Sequence, residues 1–269
     1  FYVRMLTGAK AGMYYTILVN ATGALTIDLA GDNFSGVVNG DGFAISKYWT
    51  LGTLFPPATQ TTIIASTSTA GPGRRTEVLI PDILGNGTNL AANKKFFINA
   101  GVWKESTAGV PVSDNFVLIP DTYFIVRHNH ASIIAATTFT ASGIVELNPV
   151  SLPLATLTNG KQDNPITTGR PVPIKLKDLD LISSSAFVGS SGTAGPGRRD
   201  ELLVFDNSVA TVNRSPSAIY FYNTTTSNWR QATVGFPVAD DVEIAPSSAL
   251  LVRKYQTASG ATAAWTHTY

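Results

Sequence analysis

The sequence contains no cysteine and few charged residues. Without cysteine the chain can form no disulfide, no thiolate nucleophile and no cysteine-type zinc site. Charged residues make up 14% of its 269 residues, against roughly a quarter in an average protein. The formal net charge of +1 provides no general field that would attract nucleic acid or an anionic membrane. We therefore expect neither of these partners.

Long apolar runs and helical patterns are also missing. No run of about 18 apolar residues is present, so we expect no membrane-spanning helix. No stretch of about ten residues carries an apolar stripe of helical period. The sequence begins at Phe1 rather than at methionine. We therefore expect a processed chain or a fragment, which is compatible with the removal of a signal peptide.

Short β-branched and aromatic runs are abundant, and they indicate an all-β fold. Hydrophobic residues make up 44% of the chain, which is enough for a substantial core. Turn residues separate the runs at spacings of about eight to twelve residues, as is typical of sandwiches and barrels. We predict strands near residues 2–6, 13–19, 25–29, 43–45, 78–80, 95–99, 101–105, 115–119, 123–128, 202–204, 218–222, 228–233, 241–245 and 249–254. A short helical turn over Tyr48–Phe55 would direct Trp49, Leu51 and Phe55 inward.

One stretch occurs twice, and this repeat organises the prediction. Thr69–Glu77 (TAGPGRRTE) returns as Thr193–Glu201 (TAGPGRRDE) with one substitution. In each copy Gly-Pro-Gly predicts a sharp reversal before a strand. The residues of this repeated turn are Gly71, Pro72, Gly73, Arg74, Arg75 and Glu77 in the first copy, and Gly195, Pro196, Gly197, Arg198, Arg199 and Glu201 in the second.

Further matches extend the repeat beyond the turn. Phe96–Asn99 resembles Tyr220–Asn223, and Pro111–Asp114 resembles Pro237–Asp240. We interpret the chain as two tandem related β-sandwich- or barrel-like modules preceded by N-terminal β-hairpins. The predicted boundaries are residues 1–42 for the hairpin segment, 43–147 for the first module and 148–269 for the second. Residues 148–173, which are rich in Pro, Thr, Gly and Asn, are predicted to form an ordered crossing segment.

The paired arginines are the sharpest candidates for a site. Adjacent residues on a strand point to opposite faces, so one of Arg74 and Arg75 is expected to face solvent. The other can lie back and meet Glu77 or a loop carbonyl. Two such sites could grip a carboxylate or a sugar. Because both copies keep the glutamate, we favour a structural ion pair that pins the turn.

Aromatic residues form a second candidate set. If exposed they could stack on sugar rings or on a neighbouring subunit, and if buried they would fill the core. Because Trp103 and Trp229 fall at equivalent positions of the two modules, core packing is favoured for the tryptophans. The possible glycan or subunit contacts are Trp49, Trp103, Tyr220, Tyr222 and Trp229.

No residue pattern indicates catalysis, a metal or a cofactor. His128 and His130 share one side of a predicted strand, but no third ligand lies near them in the sequence, so a metal site is not favoured. Gly71–Gly73 lacks the lysine and hydroxyl residue of a phosphate-binding loop. No triad order or carboxylate pair can be placed across a cleft. The oxygen-bearing residues of the loop 32–42 could hold calcium, but turn chemistry explains them at least as well.

Four features resemble an uncharacterised family of exported β-rich proteins from verrucomicrobia-like bacteria. They are Tyr48–Phe55, the repeated Arg-Arg-x-Glu-Val/Leu-Leu, Lys161–Asn164, and a Trp-Lys/Arg pair that precedes a proline and a Val-Arg strand. The resemblance covers most of the chain from Tyr48 onward. It implies export, a repeated β fold and a polypeptide that begins further upstream, and it implies no activity.

The composition favours a secreted, non-enzymatic role at the cell surface. Low charge, a surface of Ser, Thr and Asn, and strand-like runs near both ends suggest a structural subunit that polymerises into a filament, sheath or surface layer. The expected partner is a further copy of the chain. An extracellular glycan- or polymer-binding adhesion module is the alternative, and a hydrolase of β fold is the least favoured reading.

Overall fold

The structure is a computed structural model that describes residues 1–82, 85–120, 122–129, 137–140, 147–208 and 215–268. These residues form β-strands, loops, one short α-helix and three 3-10 turns, which confirms the predicted all-β class. None of the helices in these ranges is long and apolar enough to cross a membrane.

The strands are β1 (Tyr2–Met5), β2 (Tyr14–Ala21), β3 (Ala24–Asp28), β4 (Phe43–Ser46), β5 (Trp49–Thr50), β6 (Thr76–Pro81), β7 (Ala92–Asn99), β8 (Val102–Glu105), β9 (Val117–Leu118), β10 (Ile125–His128), β11 (Val150–Leu154), β12 (Gln162–Ile166), β13 (Ile174–Lys175), β14 (Glu201–Phe205), β15 (Ala218–Asn223), β16 (Asn228–Gln231), β17 (Glu243–Ile244), β18 (Ala249–Lys254) and β19 (Ala263–His267). The helix is α1 (Leu51–Leu54), and the 3-10 turns are Gly71–Gly73, Leu176–Asp178 and Gly195–Gly197.

The chain forms two compact units. Unit 1 consists of Phe1–Lys47, Asn86–Asn89 and Val145–Tyr269, and unit 2 consists of Tyr48–Gly85 and Leu90–Ile144. The predicted three-part division, with boundaries after residues 42 and 147, stays a prediction.

Unit 1 begins with an antiparallel four-stranded sheet in the order β3-β2-β1-β4. Apolar side chains alternate along its strands, so one face can be buried. Val3, Met5 and Tyr15 are buried on that face, and partly buried side chains of β2, β3 and the following loop pack against them. This sheet therefore has a small core of its own.

The rest of unit 1 is built on a five-stranded antiparallel sheet in the order β12-β18-β14-β15-β16. Two short pairs, β11-β19 and β13-β17, accompany it. Leu202, Leu250, Val252 and Trp265 belong to the large hydrophobic core of this part. The Trp265 indole N–H donates to the carbonyl of Leu179 at 2.7 Å, which satisfies its buried polar group.

Unit 2 contains a four-stranded sheet in the order β10-β6-β7-β8 and the short pair β5-β9. Thr50 caps α1 by accepting the N–H of Thr53, and the Thr53 hydroxyl accepts the N–H of Thr50. Leu51, Phe55 and Trp103 are buried in the core that these elements enclose. The indole N–H of Trp103 donates to the carbonyl of Phe55 at 3.0 Å.

Most predicted strands lie where the sequence placed them, but the strands β5, β11, β12, β13 and β19 were not predicted. The short helix exists and buries Leu51 and Phe55, but Trp49 points outward because it belongs to β5 rather than to the helix. The crossing segment at 148–173 contains two strands, β11 and β12, which pair with β19 and β18.

The two copies of the repeat make matching local contacts inside their own units. In unit 2 the main-chain N–H of Trp103 donates to the carboxylate of Asp114, and in unit 1 the main-chain N–H of Trp229 donates to the carboxylate of Asp240. Ser66 forms an isolated parallel bridge to Asn99, as Ser190 does to Asn223. Their hydroxyls accept the main-chain N–H groups of Arg75 and Arg199, respectively. The duplication of whole modules remains an interpretation of the sequence.

A buried ion pair supports the large sheet of unit 1. Lys254 on β18 donates to the carboxylate of Asp200 and to the carbonyl of Ala186, and both charged side chains are almost inaccessible to solvent. Asp200 also accepts the N–H groups of Val188 at 2.7 Å and Tyr255 at 2.8 Å. A buried carboxylate of this kind depends on its cation and its N–H donors.

Replacing Lys254→Met should lower the free energy of unfolding by about 3–5 kcal/mol, because the Asp200 carboxylate stays buried without its cation. The measurement is urea unfolding followed by tryptophan fluorescence. Lys175→Met is the matched control, because Lys175 pairs with the exposed Asp241 and should contribute at most about 1 kcal/mol. Equal losses in the two variants would contradict the assignment.

Candidate functional site

The repeated turn holds its first arginine against the protein. Gly71–Gly73 forms a single 3-10 turn with Pro72 at its centre, and β6 begins three residues later. The Arg74 guanidinium lies 4.6 Å from the centre of the Phe97 ring. Its Nε donates to the carbonyl of Thr69 at 2.9 Å, and an Nη donates to Ser106. Arg74 therefore ties the turn to the sheet of unit 2.

Glu77 is the centre of the charge cluster in unit 2. Its buried carboxylate accepts hydrogen bonds from Arg127 at 2.7 Å and from Asn129 at 2.5 Å, and it lies 3.6 Å from an Nη of Arg74. Burial by itself would raise the pKa of Glu77. The hydrogen bonds and the two positive charges outweigh burial, so the pKa lies below the usual value. The carboxylate is already neutralised by protein cations.

The second copy of the turn uses the same pair within a larger cluster. Arg198 lies 3.1 Å from one oxygen of Glu201, and Lys161 lies 3.2 Å from the other. On the neighbouring strand Arg253 makes a two-pronged ion pair with Asp163, at 2.7 and 2.9 Å. This hydrogen-bonded pairing is the main reason that the pKa of Arg253 is raised.

Neither arginine cluster therefore offers an open anion-binding site. Each first arginine faces the glutamate three positions later in the chain, as the ion-pair reading proposed. The second arginine of the second copy, Arg199, is exposed and lies 4.9 Å from the Tyr255 ring centre. The arrangement pins a turn to a sheet and leaves no carboxylate placed for acid or base chemistry.

The aromatic candidates divide by burial. Trp103, Trp229 and Tyr220 are buried, in agreement with the core packing favoured for the two tryptophans, and a buried ring presents no face for a glycan or a subunit to stack on. Trp229 packs against the rings of Phe187 and Tyr222. Tyr222 is partly buried. Trp49, with 53% of its surface exposed, is the open member of the set.

The metal candidates are engaged in other contacts. His128 is hydrogen-bonded to Thr76 at 2.8 Å and to Thr137 at 3.0 Å, and burial lowers its pKa. His130 lies outside the described residues. In the loop 32–42, Asp32 already binds Lys10 at 2.6 Å and the Tyr15 hydroxyl. Within the described ranges no group of three or more His, Asp or Glu side chains is placed to hold a metal.

A histidine–aspartate pair in unit 1 was not predicted from the sequence. His267 at the end of β19 is hydrogen-bonded to Asp180 at 2.9 Å and stacks on Trp265. Burial lowers the pKa of His267, and the neighbouring Asp180 carboxylate only partly offsets that effect. No spacing signal links these two residues, because 87 positions separate them. His267 is buried, so the pair fixes β19 rather than facing a substrate.

An apolar edge strand is the most conspicuous open surface of the N-terminal sheet. β4 ends the order β3-β2-β1-β4, and it pairs Ile45 with Val3 and Phe43 with Met5. Directly opposed residues share one face of a sheet, so Phe43 and Ile45 extend the buried face of β1. They nevertheless remain 52% and 49% exposed. Unpartnered apolar edges of this kind are templates for association.

Replacing Glu77→Gln should lower the free energy of unfolding at neutral pH by about 1–3 kcal/mol, because two arginines lose their buried counter-charge. Glu105→Gln is the matched control. Glu105 pairs with the more exposed Lys94 at 2.7 Å, and its loss should be at most about 1 kcal/mol. Urea unfolding of both variants gives the comparison.

The difference between the wild-type chain and the Glu77→Gln variant should shrink on acidification. The pKa of Glu77 is lower in the folded chain than in the unfolded chain. Its stabilisation is therefore fully present above the ordinary carboxyl pKa of about 4.3 and is lost as the pH falls through the folded-state value. Urea unfolding repeated from neutral to acidic pH measures this trend, and a difference independent of pH would refute it.

Comparison of the chain with models of protein families, with curated proteins and with solved structures gave no match. The resemblance to exported β-rich proteins therefore stays an interpretation of the sequence. The roles assigned to residues rest on the contacts described above.

Proposed function

We propose that the protein is a structural subunit of the cell exterior that associates with further copies of itself in a filament, sheath or surface layer. The observation that carries the proposal is the β4 edge. Phe43 and Ile45 are large apolar side chains on the last strand of a sheet, and about half of each is exposed. Proteins that remain monomeric usually blunt such an edge with a charge, a proline or a bulge.

The chemistry of the rest of the described chain supports the same role. Its ionic clusters are internally neutralised, and they pin turns to sheets instead of facing a cleft. The low charge of the sequence also leaves little electrostatic repulsion between copies. A protein whose ion pairs serve its own fold and which exposes an apolar strand edge is suited to be building material. Export to the cell exterior is proposed from the composition and the resemblance.

The purified chain should form oligomers whose mass rises with protein concentration, and it should form ordered polymers or lattices at the highest concentrations. Sedimentation velocity and negative-stain electron microscopy measure these outcomes. A monodisperse monomer over the whole concentration range would refute self-association.

A matched pair of variants tests the role of the edge. Ile45→Lys should weaken association at least tenfold, because it places a charge in the apolar edge. Val234→Lys is the control, since Val234 is almost fully exposed in the turn after β16, in a different sheet from β4, and it should associate as the wild type does. If both variants associate equally, the contact lies on a surface other than the β4 edge.

Glycan binding is the second candidate function, and the exposed Trp49 favours it. An exposed indole can stack on the apolar face of a sugar ring. If this function holds, a glycan array should show binding that Trp49→Ala removes and that Trp49→Phe largely keeps, because phenylalanine retains an aromatic face. An array without any bound glycan would exclude this candidate among the sugars tested.

A further inference from the structure

We propose that two copies of this chain pair through their β4 strands, antiparallel and centred on Ala44, so that the two N-terminal sheets become one continuous sheet. This inference rests on the proposed self-association and deepens it by naming the contact and its register. The partner is a second copy of the same chain. Four properties of the segment 41–47 support the pairing: the outward-pointing main-chain groups of Phe43 and Ile45, its apolar face, its charges and its symmetry.

The first property is the direction of the main-chain groups. In β1 the odd-numbered residues bond to β2, since the N–H of Met5 donates to the carbonyl of Met13 at 2.9 Å. The even-numbered residues bond to β4, since the N–H of Leu6 donates to the carbonyl of Gly42 at 2.8 Å. Antiparallel strands alternate in this way, so the N–H and C=O groups of Phe43 and Ile45 point away from β1.

The second property is the apolar face. A two-fold axis perpendicular to the sheet keeps the same face of both copies on the same side. Phe43 and Ile45 of one copy would then continue the buried face of the sheet into Phe43 and Ile45 of the other. The four half-exposed side chains would be covered by one another. Their burial would contribute to association, because it removes apolar surface from water.

The charges and the symmetry of the segment fix the register. When β4 strands pair about Ala44, Phe43 of each copy lies opposite Ile45 of the other, which matches the outward-pointing hydrogen-bonding groups. In the same register Asp41 of each copy lies opposite Lys47 of the other. Asp41 lies two residues before Phe43 and Lys47 two residues after Ile45, so extending β4 by two residues at each end would place all four on one face. The segment is therefore complementary to itself when reversed.

Both charges are available for this contact. Within the described ranges neither Asp41 nor Lys47 takes part in an ion pair. Asp41 accepts the N–H of Val38 at 3.0 Å through one oxygen, and its carboxylate lies against Gly8, so its position near the start of β4 is fixed. A shift of the register by two residues would keep the apolar face but would separate the charges from each other.

The resulting contact is symmetric, so it closes at a dimer. The order of the joined sheet would be β3-β2-β1-β4-β4-β1-β2-β3, with a β3 strand at each outer edge. Growth beyond the dimer must then use another surface. The inference therefore predicts a dimer as the first species in the assembly of this chain.

Disulfide trapping tests the register, because the natural sequence contains no cysteine. In the proposed pairing the two Ala44 residues face each other at a non-hydrogen-bonded position, where the Cα atoms of antiparallel strands lie about 4.5 Å apart. That separation suits a disulfide. Ala44→Cys should therefore give a disulfide-linked dimer after mild oxidation with diamide, which non-reducing electrophoresis detects.

Single cysteines elsewhere on β4 are the matched controls. In the proposed register Ser46 of one copy lies opposite Gly42 of the other, about 13 Å along the strand from its own equivalent. Ser46→Cys should therefore not cross-link. Phe43→Cys and Ile45→Cys report registers shifted by two residues, and preferential cross-linking of either would overturn the pairing about Ala44.

Charge reversal tests the end contacts independently. Lys47→Glu sets like charges opposite each other at both ends, and it should reduce dimerisation at least tenfold in sedimentation velocity. Combining it with Asp41→Lys restores opposite charges and should recover most of the dimer. No recovery, together with unchanged folding of the double variant by circular dichroism, would count against the register.

These outcomes separate the inference from the function on which it rests. If the wild-type chain remains monomeric, the proposed self-association fails. If it associates while Ala44→Cys does not cross-link, self-association holds and the contact lies elsewhere.

Discussion

The hydrogen-bonding groups of an edge strand need partners, and that requirement shapes this protein more than any single side chain. A sheet strand offers N–H and C=O groups on both sides, and the outermost strand has a neighbour on one side only. In unit 1 the edge strand β12 meets residues 86–89. The N–H of Asp163 donates to the carbonyl of Gly87 at 2.9 Å, and the N–H of Gly87 donates to Gln162 at 2.8 Å. The edge at β4 instead carries exposed apolar side chains.

Ion pairs inside the units also hold neighbouring strands in register. Two carboxylates on strands hold arginine side chains across neighbouring strands. Asp163 on β12 pairs with Arg253 on β18, and Glu77 on β6 pairs with Arg127 on β10. Both pairs join neighbouring strands directly across the ladder. Such cross-strand pairs favour one register over its neighbours, because a slip of one residue would move the charges to opposite faces.

Periodicity and turn chemistry were sufficient to predict the class of the fold and most of its strands. β15 and β16, for example, combine aromatic or β-branched residues with a turn between them, and both lie where the pattern placed them. The strand β12 was not predicted, because Gln, Asp, Asn and Pro are poor strand formers. Its pairing with β18 and the side-chain hydrogen bonds of Asn164 with Ala155 hold it in place. β18 lies far from β12 in the sequence, and Ala155 lies outside any strand, so the sequence pattern identified neither partner.

The candidate contacts were predictable only in part. The pairing of Arg198 with Glu201 follows from a spacing of three residues, so the repeated turn could be interpreted correctly. The burial of Trp103 agrees with the core packing favoured from the repeat, but the inward direction expected for Trp49 was wrong, because only packing decides which ring is covered. The pairing of Phe43 and Ile45 with the N-terminal strand was not predicted either. Their actual partner, β1, lies about forty residues away in the chain.

The order of the strands along the chain has a consequence for biosynthesis. Every strand of unit 2 lies in one stretch, interrupted only at residues 86–89. The large sheet of unit 1 instead places β18 between β12 and β14, and β18 follows both of them in the chain. During translation, unit 2 has all its strands while the ribosome is still making unit 1. The central ladder of the unit 1 sheet can close only after β18 has been made. Until then, the edges of β12 and β14 that β18 later covers have no β18 partner.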